Sequence, residues 1–432
     1  MLRPEIELYD FQKVGKKFIE TRKYVLIGDS MGLGKTLQSI STMEHGERML
    51  VICPAMLRTN WLNEIEKFTK LKAKIADAKF DWSDVPDVVI SSYANVKNIP
   101  FDFYADHITL DECHYIKNIQ SQRTKAVHKL VKHFNPNYLI GLSGTPITTS
   151  VVEFYSILKL LSLEPDGANG KPLAIKSQYG FNMRFSNQST RSITVSTRSG
   201  TRNVQVQQFS GIKNKEELKE YLKGKYLRRL ASKVLDLPPI VDKELIVSNK
   251  KAKSDAKLYD AFEQGGEMSE HISTLKIESA NNKVPFTLKY LIEIIDGGEQ
   301  CVVFSDHIEP IKNICEGLTG EGISNGMVCG VKSKQDRDRA IEDFKAGKLK
   351  VLVCSFSAAA VGLTLTSSRH LVFNDLSWRP DMVEQARKRI HRISQERSCV
   401  ITSILNGDFD KRIKRKLDAK IKDISQIVTQ DK

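Results

Sequence analysis

A rhythm of short apolar runs, separated by stretches with helical spacing, constrains this chain more than any other feature. YVLI from Tyr24, MLVIC from Met49, DVVIS from Asp87, HITL from His107 and YLIGL from Tyr138 follow one another in the first part. CVVF from Cys301, KVLVC from Lys350, HLVF from His370 and CVITSI from Cys399 do so in the last. Between them, Asn60 is placed to cap a helix carrying Trp61, Ile65 and Phe68 on one face, and Ser333 with Asp336 makes an S-x-x-D start before Ile341 and Phe344. Strands alternating with helices form parallel α/β sheets. The expectation is an α/β protein with two parallel-sheet lobes, residues 1–165 and 241–432, and a segment of another kind, 166–240, inserted between them.

Charge and period both set that middle segment apart. The formal net charge is +14, and +9 of it lies between Asp166 and Ile240, where fourteen basic residues face five acidic ones. From Gly167 to Lys215 there are eight basic residues (Lys171, Lys176, Arg184, Arg191, Arg198, Arg202, Lys213 and Lys215) and no Asp or Glu. Charge concentrated in this way points to a polyanionic partner better than the total does. Within the segment, RSITVSTRSGTRNVQVQQF alternates Ile193, Val195, Val204 and Val206 with polar residues about a turn near Ser199 and Gly200. This predicts a β-hairpin with Arg198 and Arg202 flanking its tip. Its apolar face is thin, and a solvated surface ribbon is the plain alternative.

Bulk properties exclude several classes. At 432 residues the chain has room for two or three domains with their own cores. It lacks the run of about 18 apolar residues that a membrane span needs, and its charged start, MLRPEIELYDFQKVGKKF, has no apolar signal core. A cytoplasmic protein is expected. The seven cysteines (Cys53, Cys113, Cys301, Cys315, Cys329, Cys354, Cys399) are scattered and never form a C-x-x-C pair, so reduced, mostly buried thiols are expected rather than a disulfide framework or a zinc site.

Three clusters carry chemistry. LIGDSMGLGKTLQSI is a strand, a glycine-rich turn and a helix start, and Gly32, Gly34, Lys35 and Thr36 supply what a nucleoside triphosphate needs: backbone N–H groups for phosphates, a lysine, and a hydroxyl for Mg²⁺. The pattern G-x-x-x-x-G-K-[ST] asks for glycine where this chain has Asp29. HITLDECHYIKN ends a strand in Asp111-Glu112, at the strand terminus where ligands of open α/β sheets bind; Asp111 is placed to hold Mg²⁺ and Glu112 to orient an attacking water. In WRPDMVEQARKRIHRISQ, Pro380 suits a helix start, and Gln385, Arg389 and Arg392 at i, i+4 and i+7 share a face, with Met382, Ala386, Ile390 and Ile393 on an apolar one. Fixed positive charge on phosphate oxygens accelerates phosphoryl transfer by roughly 10³ to 10⁵.

Together these residues resemble a superfamily-two helicase motor of the Swi/Snf type, in that family's order and over nearly the whole chain. DSMGLGKT resembles the family's phosphate loop, which also carries Asp at the position of Asp29. LVICPAMLRTNWLNEIEKF, DVVISSY, LDECHYIKN, LSGTPI, YLRRLASKVLDLPP, AVGLTLT and QARKRIHRISQ resemble its later motifs. The resemblance implies two RecA-like lobes with ATP and Mg²⁺ between them and DNA crossing both. It implies ATP contacts at Gln12 (adenine), Gly32, Leu33, Gly34, Lys35, Thr36 and Gln385, with Mg²⁺ at Thr36 and Asp111. Lys35, Asp111, Glu112, Arg389 and Arg392 would be catalytic. His114, Ser143, Gly144 and Thr145 would couple the nucleotide to DNA, and Ser92, Thr364 and Trp378 would contact DNA beside Arg184, Arg191, Arg198 and Arg202 of the basic segment. Ser394, where the family usually has Gly, and Ala359-Ala360, where glycines are common, depart from the pattern. GFNMRF with GIKNKEELKEYLKGKYLRRL is similar, more weakly, to the fork-remodelling branch.

The expected activity is therefore an ATP-driven, monomeric motor on branched or forked DNA, performing fork regression, branch migration or junction unwinding. The alternatives are a duplex translocase that displaces bound proteins without separating strands, an RNA helicase, and a non-catalytic DNA-binding scaffold. A chain that starts close to the motor and ends soon after it suits a compact bacterial or phage enzyme better than a chromatin remodeller.

Overall fold

The computed structural model describes residues 2–77, 79–144, 151–163, 175–197, 200–247, 269–359 and 363–428. The fold divides into two units, the first made of Met1–Ser189, Phe209–Leu235 and Lys422–Lys432, the second of Thr190–Gln208 and Asp236–Ile421. In chain order the strands are β1 (Tyr24–Ile27), β2 (Met49–Cys53), β3 (Ala73–Ile75), β4 (Val88–Ser92), β5 (His107–Asp111) and β6 (Tyr138–Leu142). A ribbon of β7 (Asn187–Thr197) and β8 (Gly200–Ser210) follows, then β9 (Tyr226–Leu227) and β10 (Ile240–Val247). The last are β11 (Cys301–Ser305), β12 (Asn325–Val328), β13 (Val351–Ser355), β14 (His370–Phe373) and β15 (Cys399–Asn406).

The first unit holds a seven-stranded sheet in the order β3-β4-β2-β5-β6-β1-β9, parallel at every pairing. Successive side chains of a strand point to opposite faces. Tyr24 and Leu26 accordingly join Leu50, Ile52, Ile108 and Leu110 in one apolar layer, while Val25 and Ile27 join Met49, Val51, Ile90 and Ile140 in the other. Helices cover both layers, which is why these strands read as unbroken apolar runs instead of alternating ones.

The second unit repeats the plan with a six-stranded parallel sheet, β10-β15-β14-β11-β13-β12. Val302, Phe304, Leu352 and Phe373 face one layer; Cys301, Val303, Val351 and Val372 face the other. Two lysines lie within this unit's interior, each with a carboxylate: Lys283 Nζ is 2.6 Å from Asp410 and Lys276 Nζ 2.5 Å from Asp306. Buried charges require such partners. Among the described residues β7 and β8 pair with each other alone, as a separate two-stranded ribbon.

Every apolar run read from the sequence is a strand. β3, β9, β10 and β12 were not anticipated, for physical reasons. β3 and β9 have three and two residues. β12 (NGMV) has a glycine because a Cβ on Gly326 would lie 2.7 Å from Leu349 Cδ1. β10 (IVDKELIV) is an edge strand whose charged side chains are exposed.

One helix start needs correction. The helix expected to be capped by Asn60 runs from Arg58 to Phe68, after a 3-10 turn at Ala55–Leu57 in which Leu57 N donates to Pro54 O; Asn60 lies inside it and donates to Glu64. The helix after the glycine-rich turn is only Lys35–Ile40, because the hydroxyls of Ser41 and Thr42 bond back to the carbonyls of Gln38 and Ser39. All seven cysteines are buried. Among the described residues no helix is long and apolar enough to cross a membrane.

His128, on the Gln122–Phe134 helix, lies 3.2 Å from Ser156 Oγ. Burial, and after it the nearby Lys159 cation, push its pKa from 6.5 down to about 4. The fold thus favours the neutral ring, and this stability is fully present above pH 6.5 and lost as the pH falls toward 4. The urea midpoint should fall across that window, and His128→Gln, which keeps a side chain able to bond Ser156, should flatten part of the slope.

Candidate functional site

Parallel pairing aligns strand directions, so β5, β6 and β1, neighbours in the sheet, end on one edge and their following loops meet there. After β1 comes the glycine-rich loop. Gly32 and Gly34 have φ of 88° and 66°, a region that favours glycine, and a Cβ on Gly34 would lie 2.4 Å from Gln12 Nε2. Gln12, on the Asp10–Arg22 helix, is buried; its Oε1 accepts Tyr9 N at 3.1 Å and its Nε2 donates to Leu33 O at 3.3 Å. Gln12 is therefore braced against the loop. Lys35 Nζ donates to the Asp29 carbonyl oxygen at 3.0 Å, and Thr36 follows, half-buried.

At the end of β5 stand the two acids, Asp111 as its last residue and Glu112 just beyond. Asp111 Oδ2 accepts Trp61 Nε1 at 2.8 Å and Oδ1 accepts Glu112 N at 3.0 Å, while Tyr93 Oη donates to the Asp111 carbonyl at 2.9 Å. Burial, and after it the charge of Glu112, push the Asp111 carboxyl from its usual 3.8 up to about 7, against the Trp61 hydrogen bond and the Lys35 charge. A buried carboxyl raised in this way beside a second acid suits a hard cation that prefers oxygen ligands. Asp111 and the Thr36 hydroxyl are the residues that would hold Mg²⁺.

Glu112 has φ of 48°, and this left-handed turn aims its carboxylate toward the loop after β6. There Ser143 Oγ donates to Glu112 Oε2 at 3.4 Å, and His114 Nδ1 lies 3.3 Å from Glu112 Oε2 and 3.4 Å from Ser143 Oγ. Gly144 approaches Lys35 closely, a Cβ there being 3.5 Å from Nζ and 2.9 Å from Met31 Cγ. Lys35, Glu112, His114, Ser143 and Gly144, read from three separate motifs, thus converge. Thr145 lies outside the described residues.

Asp29 is fully buried and is gripped by Arg229: Oδ1 accepts Arg229 N at 2.9 Å and Nε at 3.1 Å, and Oδ2 accepts Nη2 at 2.5 Å. The sequence reading gave Arg229 no role. The available signal was an acid in place of a loop glycine, which when buried requires a cation.

In the second unit, Pro380 is the first residue of the Pro380–Ile390 helix, as expected. That helix ends two residues before Arg392, so the shared helical face predicted for Gln385, Arg389 and Arg392 is corrected. Gln395 Nε2 donates to the Ile390 carbonyl at 3.0 Å, satisfying the helix end, and Ile393 beyond it is exposed. Arg389 and Arg392 still converge, each donating through Nη1 to Leu363 O at 3.2 and 3.3 Å, and Arg392 also to Thr364 Oγ1 at 2.6 Å. Gln385 and Arg389 are buried, and Lys276 Nζ sits 5.8 Å from the Trp378 ring centre. Ser394 Oγ meets Thr366 Oγ1 at 2.9 Å.

The remaining DNA candidates differ in setting. Ser92 is buried at the end of β4; Arg184 is paired with Glu217 at 2.7 Å; Arg202 is exposed on β8; Arg191 lies on β7. Arg198 lies outside the described residues.

Trp61 gives the acidic pair its one indole donor. Trp61→Phe should therefore lower unfolding free energy by about 1.5–3 kcal/mol in a urea titration run well above pH 7, where Asp111 is ionised, the range for a hydrogen bond to a charged group.

Comparison with known proteins agrees with these motifs. The family described as the SNF2-related domain matches residues 17–302, and the helicase conserved C-terminal domain matches 286–394. Among curated proteins, the chain is 28% identical to the SWI/SNF-related matrix-associated actin-dependent regulator of chromatin subfamily A-like protein 1 of Xenopus laevis, over 97% of this chain and 44% of that protein. It is 25% identical to the putative ATP-dependent helicase/translocase YwqA of Bacillus subtilis, over 96% and 48%. The chain spans about half the length of these relatives. Among solved structures, the Sulfolobus solfataricus SWI2/SNF2 ATPase core in complex with dsDNA is similar at 22% identity and a TM-score of 0.45, covering 99% of this chain and 98% of that one. With well over half of its length matched by the SNF2-related domain, and the helicase C-terminal domain following it, this chain belongs to the SNF2-related family.

Proposed function

We propose that the first unit binds and hydrolyses ATP at the edge where β1, β5 and β6 end, and that hydrolysis drives the protein along branched DNA in fork regression, branch migration or junction unwinding. The observation that carries the reading of the site is the meeting of Lys35, Asp111, Glu112 and Ser143 on that edge. In this reading Gly32, Leu33 and Gly34 present backbone N–H groups to the phosphates, and Lys35 leaves the Asp29 carbonyl for the β and γ phosphates. A Mg²⁺ ion held by Thr36 and Asp111 would neutralise charge on the phosphate oxygens. Glu112 orients the attacking water and takes its proton, its carboxylate held by Ser143 and His114. Those two residues then couple hydrolysis to DNA. Arg389 and Arg392, on the second unit, are the candidates for the fixed positive charge that phosphoryl transfer calls for.

The branched-DNA part rests on the ribbon. Its strands are 11 residues each, and Gln205, Gln207 and Arg202 are exposed; Val206 is also 37% exposed. An exposed ribbon in a segment without acids suits a wedge against phosphates and unstacked bases. Phosphate contacts of this kind carry no sequence preference.

Lys35→Ala should lower DNA-stimulated ATPase by about 10²–10³-fold, the loss seen when one such electrostatic contact is removed. Deleting residues 197–203 should leave DNA-stimulated ATPase intact and abolish junction unwinding, measured in parallel on duplex, single-stranded, forked and four-way DNA. Equal loss of both activities would overturn the wedge. Displacement of a triplex strand with forks left untouched would favour a duplex translocase.

A further inference from the structure

Arg229 stands about 200 residues from the glycine-rich loop in the chain, yet it binds three of the elements that build the nucleotide site. Its backbone N and Nε donate to Asp29 Oδ1, and Nη2 donates to Asp29 Oδ2. Nη2 also donates to Gln38 Oε1 at 2.8 Å, while Gln38 Nε2 returns to Asp29 Oδ2 and to Leu33 O, both at 3.1 Å. Nη1 donates to the carbonyl of Phe11, the residue before Gln12. The main chain takes part as well: Gly28 N donates to Leu227 O at 2.7 Å and Ser30 N to Arg229 O at 2.9 Å, which carries the β1–β9 pairing on into the loop.

The neighbours are shaped for this side chain. A Cβ on Gly15 would lie 1.9 Å from Gln38 Oε1 and 2.8 Å from Arg229 Nη2, so a larger residue on that helix would push both away. Leu33 O receives Gln12 and Gln38 together. The Asp29 carbonyl, on the residue whose carboxylate Arg229 holds, is the acceptor for Lys35 Nζ. The guanidinium is therefore one residue removed from the lysine on one side and from Gln12 on the other.

We infer that Arg229 is a positioning residue for the nucleotide site: its fork sets the loop and the Gln12 helix in the spacing that ATP requires. A planar, five-donor group is needed for this, since the bonds diverge to Asp29, Gln38 and Phe11 and a lysine has no comparable geometry. The same residue lies on the stretch Tyr226–Leu235, by which the chain leaves the first unit. The inference rests on the reading of this site as the one that holds ATP.

The test separates a positioning role from a mere countercharge for Asp29. Arg229→Lys keeps the charge and loses the fork. It should keep a melting temperature near the parent's and an unchanged Kd for duplex DNA, while KM for ATP rises at least tenfold and kcat at saturating ATP changes less. Arg229→Met should lose both stability and ATP affinity, and Arg229→Lys carries the test if that variant fails to fold. A lysine variant with parental KM would overturn the inference, because charge alone would then suffice. Lys35→Ala serves as the control on the site: full ATPase in that variant would overturn the nucleotide-site reading itself, whereas an inactive Lys35→Ala beside a parental Arg229→Lys would overturn only the role of Arg229.

Discussion

Parallel hydrogen bonding between β5, β6 and β1 is the constraint on which the site depends. A parallel ladder brings strands into register only when their directions agree, and agreement of direction puts every carboxyl end on one edge. A loop, a pair of acids and a Ser-Gly turn, each more than 20 residues from the next in sequence, become neighbours as a result. The requirement that parallel sheets be covered on both faces then determines the strand composition. Tyr24 and Leu26 serve one layer, Val25 and Ile27 the other, and no position on β1 is left for a polar side chain.

Electrostatics finish what the ladder begins. Asp29 and Asp111 are both carboxylates near the same loop, but the fold treats them differently. Asp29 receives a guanidinium, a backbone N–H and an amide, so its charge is met within the protein. Asp111 receives an indole and a backbone N–H, but burial, and after it the facing acid Glu112, disfavour its ionised form. One acid thus organises the loop, and the other is raised toward neutrality by its surroundings. Glu112, in a left-handed turn, is aimed at Ser143 and His114.

Much of this was legible from residue order. Apolar runs marked the central strands because burial on both faces leaves a strong signal, and the spacing of Ser333 and Asp336 marked a helix start that the structure shows as Ser333 Oγ accepting Asp336 N. What escaped were elements stabilised by partners distant in sequence. β9 has two residues and is a strand only through its pairing with β1. β10 carries charges that an edge strand tolerates on its solvent side. The Asn60 cap was misplaced because a turn starting at Pro54 had already begun the helix. The arginine face was misread because a 3.6-residue period continues on paper past Ile390, whereas Gln395 closes the helix there.

By itself the sequence determined the two-lobe α/β plan, the glycine-rich loop with its lysine, and the acidic pair, since burial periodicity and local turn chemistry are written in neighbouring residues. Only the tertiary structure decided how Asp29 is held, because its partner is 200 residues away and no local pattern names it. It also decided that Ser143 and His114 meet Glu112, and that Arg392 reaches Leu363 from beyond its helix. Contacts of that kind follow from strand order and chain closure, which depend on the whole sheet at once.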